Sequence, residues 1–216
     1  MITNSEKERF CSFAASLLAP PEVALVDDLR QAELRPLIEG YVREWGGDGQ
    51  LPSGWIKDAG REDFLPTLRG EYERLFGQWE GEKISLVEST YKTWTTDKEC
   101  KMVFAPSKGL FMGDCALHML EIYRQLSLEV PEQFQGMPDH LILELELLAL
   151  LYKSATNEQI EQFIGDHLDW VPDLKETLEK SNPHPFYRNV IELLCLFLQN
   201  ETKHGKVKYH GPKKIH

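Results

Sequence analysis

The chain has 216 residues, 42% of them hydrophobic and 27% charged, which is enough to bury a core and too apolar for a disordered polymer. Its formal net charge is −11; the last sixteen residues hold five lysines against one glutamate, so the remainder carries −15. An acidic body repels phosphate backbones, which argues against nucleic acid and in favour of cationic partners such as basic peptides.

The N-terminus has no basic stretch leading into an apolar core, so no signal peptide is expected. Ser5 and Glu8 form a capping-box pair, and Phe10, Phe13, Ala14, Leu17 and Leu18 follow at helical spacing until Pro20-Pro21. A second helical stretch runs from Glu22 to Trp45, divided at Pro36 and closed by Gly46-Gly47. Residues 47–61 read as a Gly- and Pro-rich loop, and a third helix covers 62–76 with Leu65, Leu68, Tyr72, Leu75 and Phe76 on one side. From 77 to 109 helical periodicity fails, and Trp79, Tyr91 and Trp94 lie in a polar, turn-rich segment. Long irregular segments in compact domains commonly carry function, which makes this one a candidate binding loop.

A fourth helix follows from 114 to 128 and stops at Pro131. Pro138 and Asp139 are start signals for the next, since proline needs no N–H there and a carboxylate favours the positive helix end. That helix, from Leu141 to Tyr152, is apolar nearly all round, the mark of a segment buried in the middle of a bundle. Its apolar run is broken by Glu144 and Glu146 and is too short to span a bilayer. Thr156 and Gln159 form another capping box, Trp170-Val171-Pro172 restarts the chain, and 181–185 is a break before the apolar helix 186–198. The fold class is therefore all-α: one helical-bundle domain over 1–200, a possible hinge near 129–137, and a basic tail over 201–216 that includes His204, His210 and His216.

Motifs for chemistry are sparse. There is no phosphate loop, no Gly-x-Ser-x-Gly elbow and no His-Glu-x-x-His. Cys11, Cys100, Cys115 and Cys195 are scattered without a Cys-x-x-Cys pair, which suits a reducing cytoplasm and argues against a zinc ribbon or disulfide scaffold. Cys115 and His118 stand one helical turn apart but lack a matching second pair, so no metal and no cofactor are expected. Asp139-His140 is open to two readings: a carboxylate serving the helix dipole with an incidental imidazole beside it, or a polar pair facing a ligand. Tyr72 and Phe76 are an i, i+4 pair that ordinary packing would also explain.

Taken in order, Glu71-Tyr72-Glu73-Arg74-Leu75-Phe76, then Pro138-Asp139-His140-Leu141 with Glu144-Leu145-Glu146-Leu147-Leu148, then Phe163-Ile164-x-x-His167-Leu168-x-Trp170-Val171-Pro172 and the helix headed by Phe186-Tyr187 give the chain its likeness. It resembles the TorD/DmsD/NarJ family of molybdoenzyme maturation chaperones over roughly 62–199. The resemblance implies an all-helical, non-catalytic cytoplasmic protein. Such a protein binds the N-terminal, twin-arginine signal peptide of an apo molybdenum- or tungsten-type oxidoreductase and assists cofactor insertion before export. It implies a peptide site at Tyr72, Leu75, Phe76, Pro138, Asp139 and His140, with Glu88, Tyr91 and Trp94 in the intervening loop. It also leaves open a monomer or a domain-swapped dimer. One departure is local: Gly136-Met137 precede a Pro138 that abuts Asp139, where the usual form is Glu-Pro, a spacer, then Asp-His. The alternative from a different class is a helical metal-dependent hydrolase using Asp139, His140, His118 and Glu144.

Overall fold

A computed structural model describes residues 2–46, 57–77 and 83–204, for residues 57, 58, 203 and 204 the backbone only. Trp79, most of the 47–61 loop, and His210 and His216 lie outside the described residues. The chain is all-α: α1 (Asn4–Leu17), α2 (Val23–Leu29), α3 (Leu34–Glu44), α4 (Phe64–Phe76), α5 (Asp114–Gln125), α6 (Leu141–Ser154), α7 (Asn157–His167), α8 (Val171–Lys180) and α9 (Pro185–His204). Among the described residues there is no β-strand, only an isolated antiparallel bridge between Val87 and His140. No described helix is long and apolar enough to cross a membrane.

α6 is buried on nearly every side, as its sequence predicts, with Leu141, Leu145 and Leu148 wholly enclosed. It packs along α1 and against α7, while α9 packs on α8, α7 and α1. Each apolar stripe therefore finds a partner, and the burial of these stripes supplies the main drive to fold. Phe10 of α1, Tyr41 and Trp45 at the end of α3, and Phe197 of α9 form one aromatic cluster, with ring centroids of successive pairs 4.7–6.0 Å apart. Beside it, Glu201 Oε2 accepts from Lys7 Nζ at 2.7 Å and from the Tyr152 hydroxyl at 2.8 Å, joining α1, α6 and α9 through one buried carboxylate.

Three boundaries differ from the sequence expectation. α1 is capped by Thr3 with Glu6 rather than by Ser5 with Glu8; both pairs fit the capping template, and the earlier one gives the helix an added half-turn. The chain breaks between Leu29 and Leu34 rather than at Pro36, which sits in the first turn of α3, where a missing N–H costs nothing. α9 runs through the expected tail boundary to His204 because Glu201 is buried and paired on its inner face. The Thr156–Gln159 capping box forms as read. The 129–137 segment contains a short 3-10 turn at Glu132–Phe134, with the Phe134 ring 4.8 Å from that of His140.

The aromatic cluster gives a direct test of this packing. Phe197→Ala is expected to cost about 3–5 kcal/mol in urea unfolding, as loss of a buried aromatic does. Leu150→Ala, at a position that keeps 36% of its surface in water, should stay within about 1 kcal/mol. Equal losses at the two positions would refute the assignment of the core.

Candidate functional site: a buried polar hub beneath the 85–96 loop

Between α4 and α5 the described residues form no helix apart from a 3-10 turn at Glu88–Thr90. The backbone of this segment needs partners, and it takes them from the approach to α6. Leu141 N–H donates to Leu86 O at 2.8 Å, and Glu88 N–H donates to Asp139 O at 3.0 Å. The Asp139 carboxylate completes the clamp by accepting from Ser89 N–H at 2.7 Å. α6 begins at Leu141 with His140 as N-cap, its Nδ1 accepting from Ile142 N–H at 3.2 Å. Asp139 thus lies one residue before the cap and is spent on the loop rather than in the first helical turn, a correction to the helix-dipole reading. Pro138, expected as an opening helical residue, is buried outside the helix, and its carbonyl accepts from the Tyr123 hydroxyl at 3.0 Å.

Glu88 is the centre of the arrangement and has no exposed surface. Its Oε1 is 2.6 Å from Lys92 Nζ, one turn along, and its Oε2 is 2.9 Å from His167 Nδ1 at the end of α7. His167 Nε2 in turn lies 2.8 Å from Nδ1 of His118 on α5, with the two rings stacked at 4.8 Å. With both rings neutral and Glu88 ionised, one tautomer set satisfies both contacts. His118 Nδ1–H donates to His167 Nε2, and His167 Nδ1–H donates to Glu88. Lys92 is held from the other side by Asp169 Oδ1 at 2.5 Å and Asp166 O at 2.8 Å.

Two more buried carboxyls abut this centre. Glu144, on the first turn of α6, is fully enclosed; its Oε2 accepts from Trp170 Nε1 at 3.2 Å while Oε1 has no hydrogen-bond partner. Asp139 Oδ1 is likewise without one, and Cys115 Sγ–H donates to Asp139 Oδ2 at 3.7 Å. Burial, and then the negative charge of Glu88, push the Glu144 carboxyl well above the usual range, which favours its protonated form beside Glu88. Burial also raises Asp139, against the pull of the Ser89 N–H. Glu88 goes the other way: burial is the largest influence and opposes its charge, but His167 and Lys92 outweigh it and hold the carboxyl low. His118 is lowered by burial and by its neighbour His167. His140 is lowered to about 4 by burial.

The hub supports a surface. Tyr91 stacks on the buried Trp170 at 4.9 Å and donates its hydroxyl to Ser85 O. Trp94 donates Nε1–H to Phe111 O and meets the Phe104 ring at 5.0 Å. Its carbonyl accepts from Asp114 N–H at 2.8 Å, and a Cβ on Gly113 would lie 2.6 Å from that oxygen, so only glycine fits where α5 begins. In the segment that follows and on α5, Met102, Val103, Phe104, Phe111 and Leu117 are exposed by 45–95%. A separate apolar groove of 340 Å³ opens between α5 and α6, lined by Tyr123, Leu128, Val130, Leu143, Leu147 and Leu150, with Glu129 and Glu146 also on its wall.

The expected site residues therefore divide. Glu88 and Asp139 meet in the hub, and Tyr91 lies against its Trp170. His140 is set apart, capping α6, so the hydrolase set of Asp139, His140, His118 and Glu144 does not come together. Tyr72 and Phe76 pack on Tyr187 of α9, with centroids 6.3 and 5.5 Å away, and Leu75 is buried. Ser89, Lys92, His167 and Trp170 were not assigned roles from sequence. His167 and Trp170 stood in the motif Phe163-Ile164-x-x-His167-Leu168-x-Trp170, which was the signal available.

The family described as nitrate reductase delta subunit matches residues 24–182. The chain belongs to that family. It is a group of non-catalytic chaperones, the TorD/DmsD/NarJ kind, that act in molybdoenzyme maturation and associate with a molybdoenzyme catalytic subunit. No curated protein matches the chain.

Two substitutions test the hub of this chaperone. Lys92→Met leaves Glu88 buried without its ammonium and is expected to cost about 3 kcal/mol in urea unfolding, the low end for a broken buried pair because Lys92 is partly exposed. For Glu144 the native pKa is raised above 4.5, so the folded state binds the extra proton and stability from this group falls as pH rises from that value. Glu144→Gln removes that dependence. The variant should gain stability relative to wild type as pH goes from about 4.5 to 8, and a gap constant with pH would refute the protonated carboxyl.

Proposed function

We propose that this chaperone binds the N-terminal signal peptide, of the twin-arginine type, of an apo molybdenum- or tungsten-type oxidoreductase, and that it does so in the cytoplasm before cofactor insertion and export. The observation that carries the reading is the concentration of exposed apolar side chains in and just after the 85–111 loop, Met102, Val103, Phe104, Phe111 and Leu117, next to half-buried Tyr91 and Trp94. Exposed apolar side chains concentrated in one segment commonly mark partner sites, and aromatic side chains are the usual anchors. The chain outside its tail carries −15, which complements a peptide that joins a cationic segment to an apolar one.

Tyr72, Leu75, Phe76, Glu88, Tyr91, Trp94, Pro138, Asp139 and His140 are proposed to serve this peptide in two ways. Leu75, Glu88, Pro138 and Asp139 are buried and act by positioning the loop. Tyr72, Phe76, Tyr91, Trp94 and His140 keep surface in water and are available for contact.

Calorimetry with the N-terminal peptide of the cognate catalytic subunit is the test. Trp94→Ala is expected to weaken binding by about tenfold or more, the scale of an aromatic anchor. Asp139→Ala should weaken it through loss of the Ser89 contact. Absence of binding by the wild-type protein, or affinity unchanged in both variants, would refute the site.

A further inference from the structure

The geometry points to a binding site for one divalent ion of the zinc class between Glu88, Glu144 and His167, joining the 85–92 segment to α6 and α7. The donor atoms of these three side chains lie within 4.8 Å of one another, and each residue is at most 1% exposed. Ligands about 2.0–2.2 Å from a zinc ion stand roughly 3.3–3.5 Å apart in a tetrahedron, so modest side-chain contraction suffices. Two carboxylates and one imidazole are a donor set that such ions accept, with a water in the remaining position.

The independent sign is a buried carboxyl oxygen without a partner. Glu144 Oε1 is wholly buried and has no hydrogen-bond partner, although its carboxyl lies against that of Glu88. Two buried carboxyls in contact need a cation or a proton between them.

The surroundings are already arranged for the exchange. Lys92, which faces Glu88 Oε1, keeps Asp169 Oδ1 and Asp166 O when Glu88 turns to an ion, so no ammonium is stranded. His118 lies on the far nitrogen of His167, where an outer partner fixes the orientation of a ligating imidazole. When His167 Nδ1 takes the ion, His167 Nε2–H donates to His118 Nδ1, and His118, exposed at the surface, carries its proton on Nε2. Asp139 and Cys115 form an adjoining donor group with Glu88, their atoms within 4.8 Å of it and of each other. The role is structural: an ion here would cross-link three segments that are far apart in sequence and stiffen the loop bearing Tyr91 and Trp94. The site stands on its own geometry and does not depend on the peptide reading.

The test is titration of the chelator-treated full-length protein with Co²⁺, followed by the absorption bands of a low-symmetry four-coordinate ion and by competition with Zn²⁺. One saturable equivalent is expected. Glu144→Gln and His167→Ala should each weaken it by more than about 100-fold, and His118→Ala by roughly 10–100-fold, as loss of an outer-sphere partner does. Glu144→Gln keeps the size of the side chain, so it remains readable even where His167→Ala fails to fold. No uptake up to about 1 mM metal would overturn the site. So would an equivalent that survives Glu144→Gln, because the ion would then be held by other donors such as the C-terminal histidines.

Discussion

Glu88 carries a negative charge with none of its surface in water, and the rest of this end of the molecule is organised by that fact. Removing a carboxylate from water costs several kcal/mol even after relaxation, so it persists only where fixed donors and a countercharge surround it. Here Lys92 on the same loop and His167 at the end of α7 face the carboxylate, His118 on α5 stands behind His167, and the main chain before α6 fixes the backbone of Glu88 by accepting its N–H. None of these lies near Glu88 in the chain except Lys92. The ends of α5, α6 and α7 must therefore converge for the charge to be tolerated, and the loop must return to the same point.

The same requirement explains why an irregular segment can be buried at all. Loops usually run over the surface because their N–H and C=O groups need water. This one dispenses with water by borrowing partners: Leu86 O from Leu141 N–H, Glu88 N–H from Asp139 O, Ser89 N–H from the Asp139 carboxylate. α6 contributes twice, since the bonds at its N-terminus hold the loop while its leucines fill the core. The loop's outer edge, freed from that work, is where exposed apolar and half-buried aromatic side chains collect. The residues that stabilise the fold and the partner surface proposed above are thereby separated by only a few positions.

How much of this was legible follows from the range of each signal. The helices were readable because capping and amphipathic periodicity act within a few residues: Thr156 and Gln159, or the all-round apolar Leu141–Tyr152. The errors came where two local solutions were equivalent, as with Thr3/Glu6 against Ser5/Glu8, or where a proline stood at a harmless position, as with Pro36. Asp139 shows the deeper limit. Its sequence neighbours favour a helix-start role, and only the return of a segment fifty residues earlier gives its carboxylate a better donor. Likewise, nothing near Glu88, Lys92 or His167 in the chain reveals that they share one cluster. The ordered family motifs marked the segments that meet there, and the chemistry between them is a property of the tertiary fold.

The hub and the α4–α9 aromatic contact also constrain each other. The segment after α4 starts from Phe76, which packs on Tyr187 of α9, and Ile84 N–H donates to Leu75 O at 2.9 Å. A few residues later it is seized by Glu88 and Asp139. Both ends of this short stretch are thus tied to different helices of the same bundle. A ligand resting on Tyr72 and Phe76 and one resting on Tyr91 and Trp94 would act on a single tethered segment rather than on two independent loops. That coupling gives a physical reason for an ordered set of motifs spread from α4 to α9: each fixes one tether of the segment that carries the exposed rings.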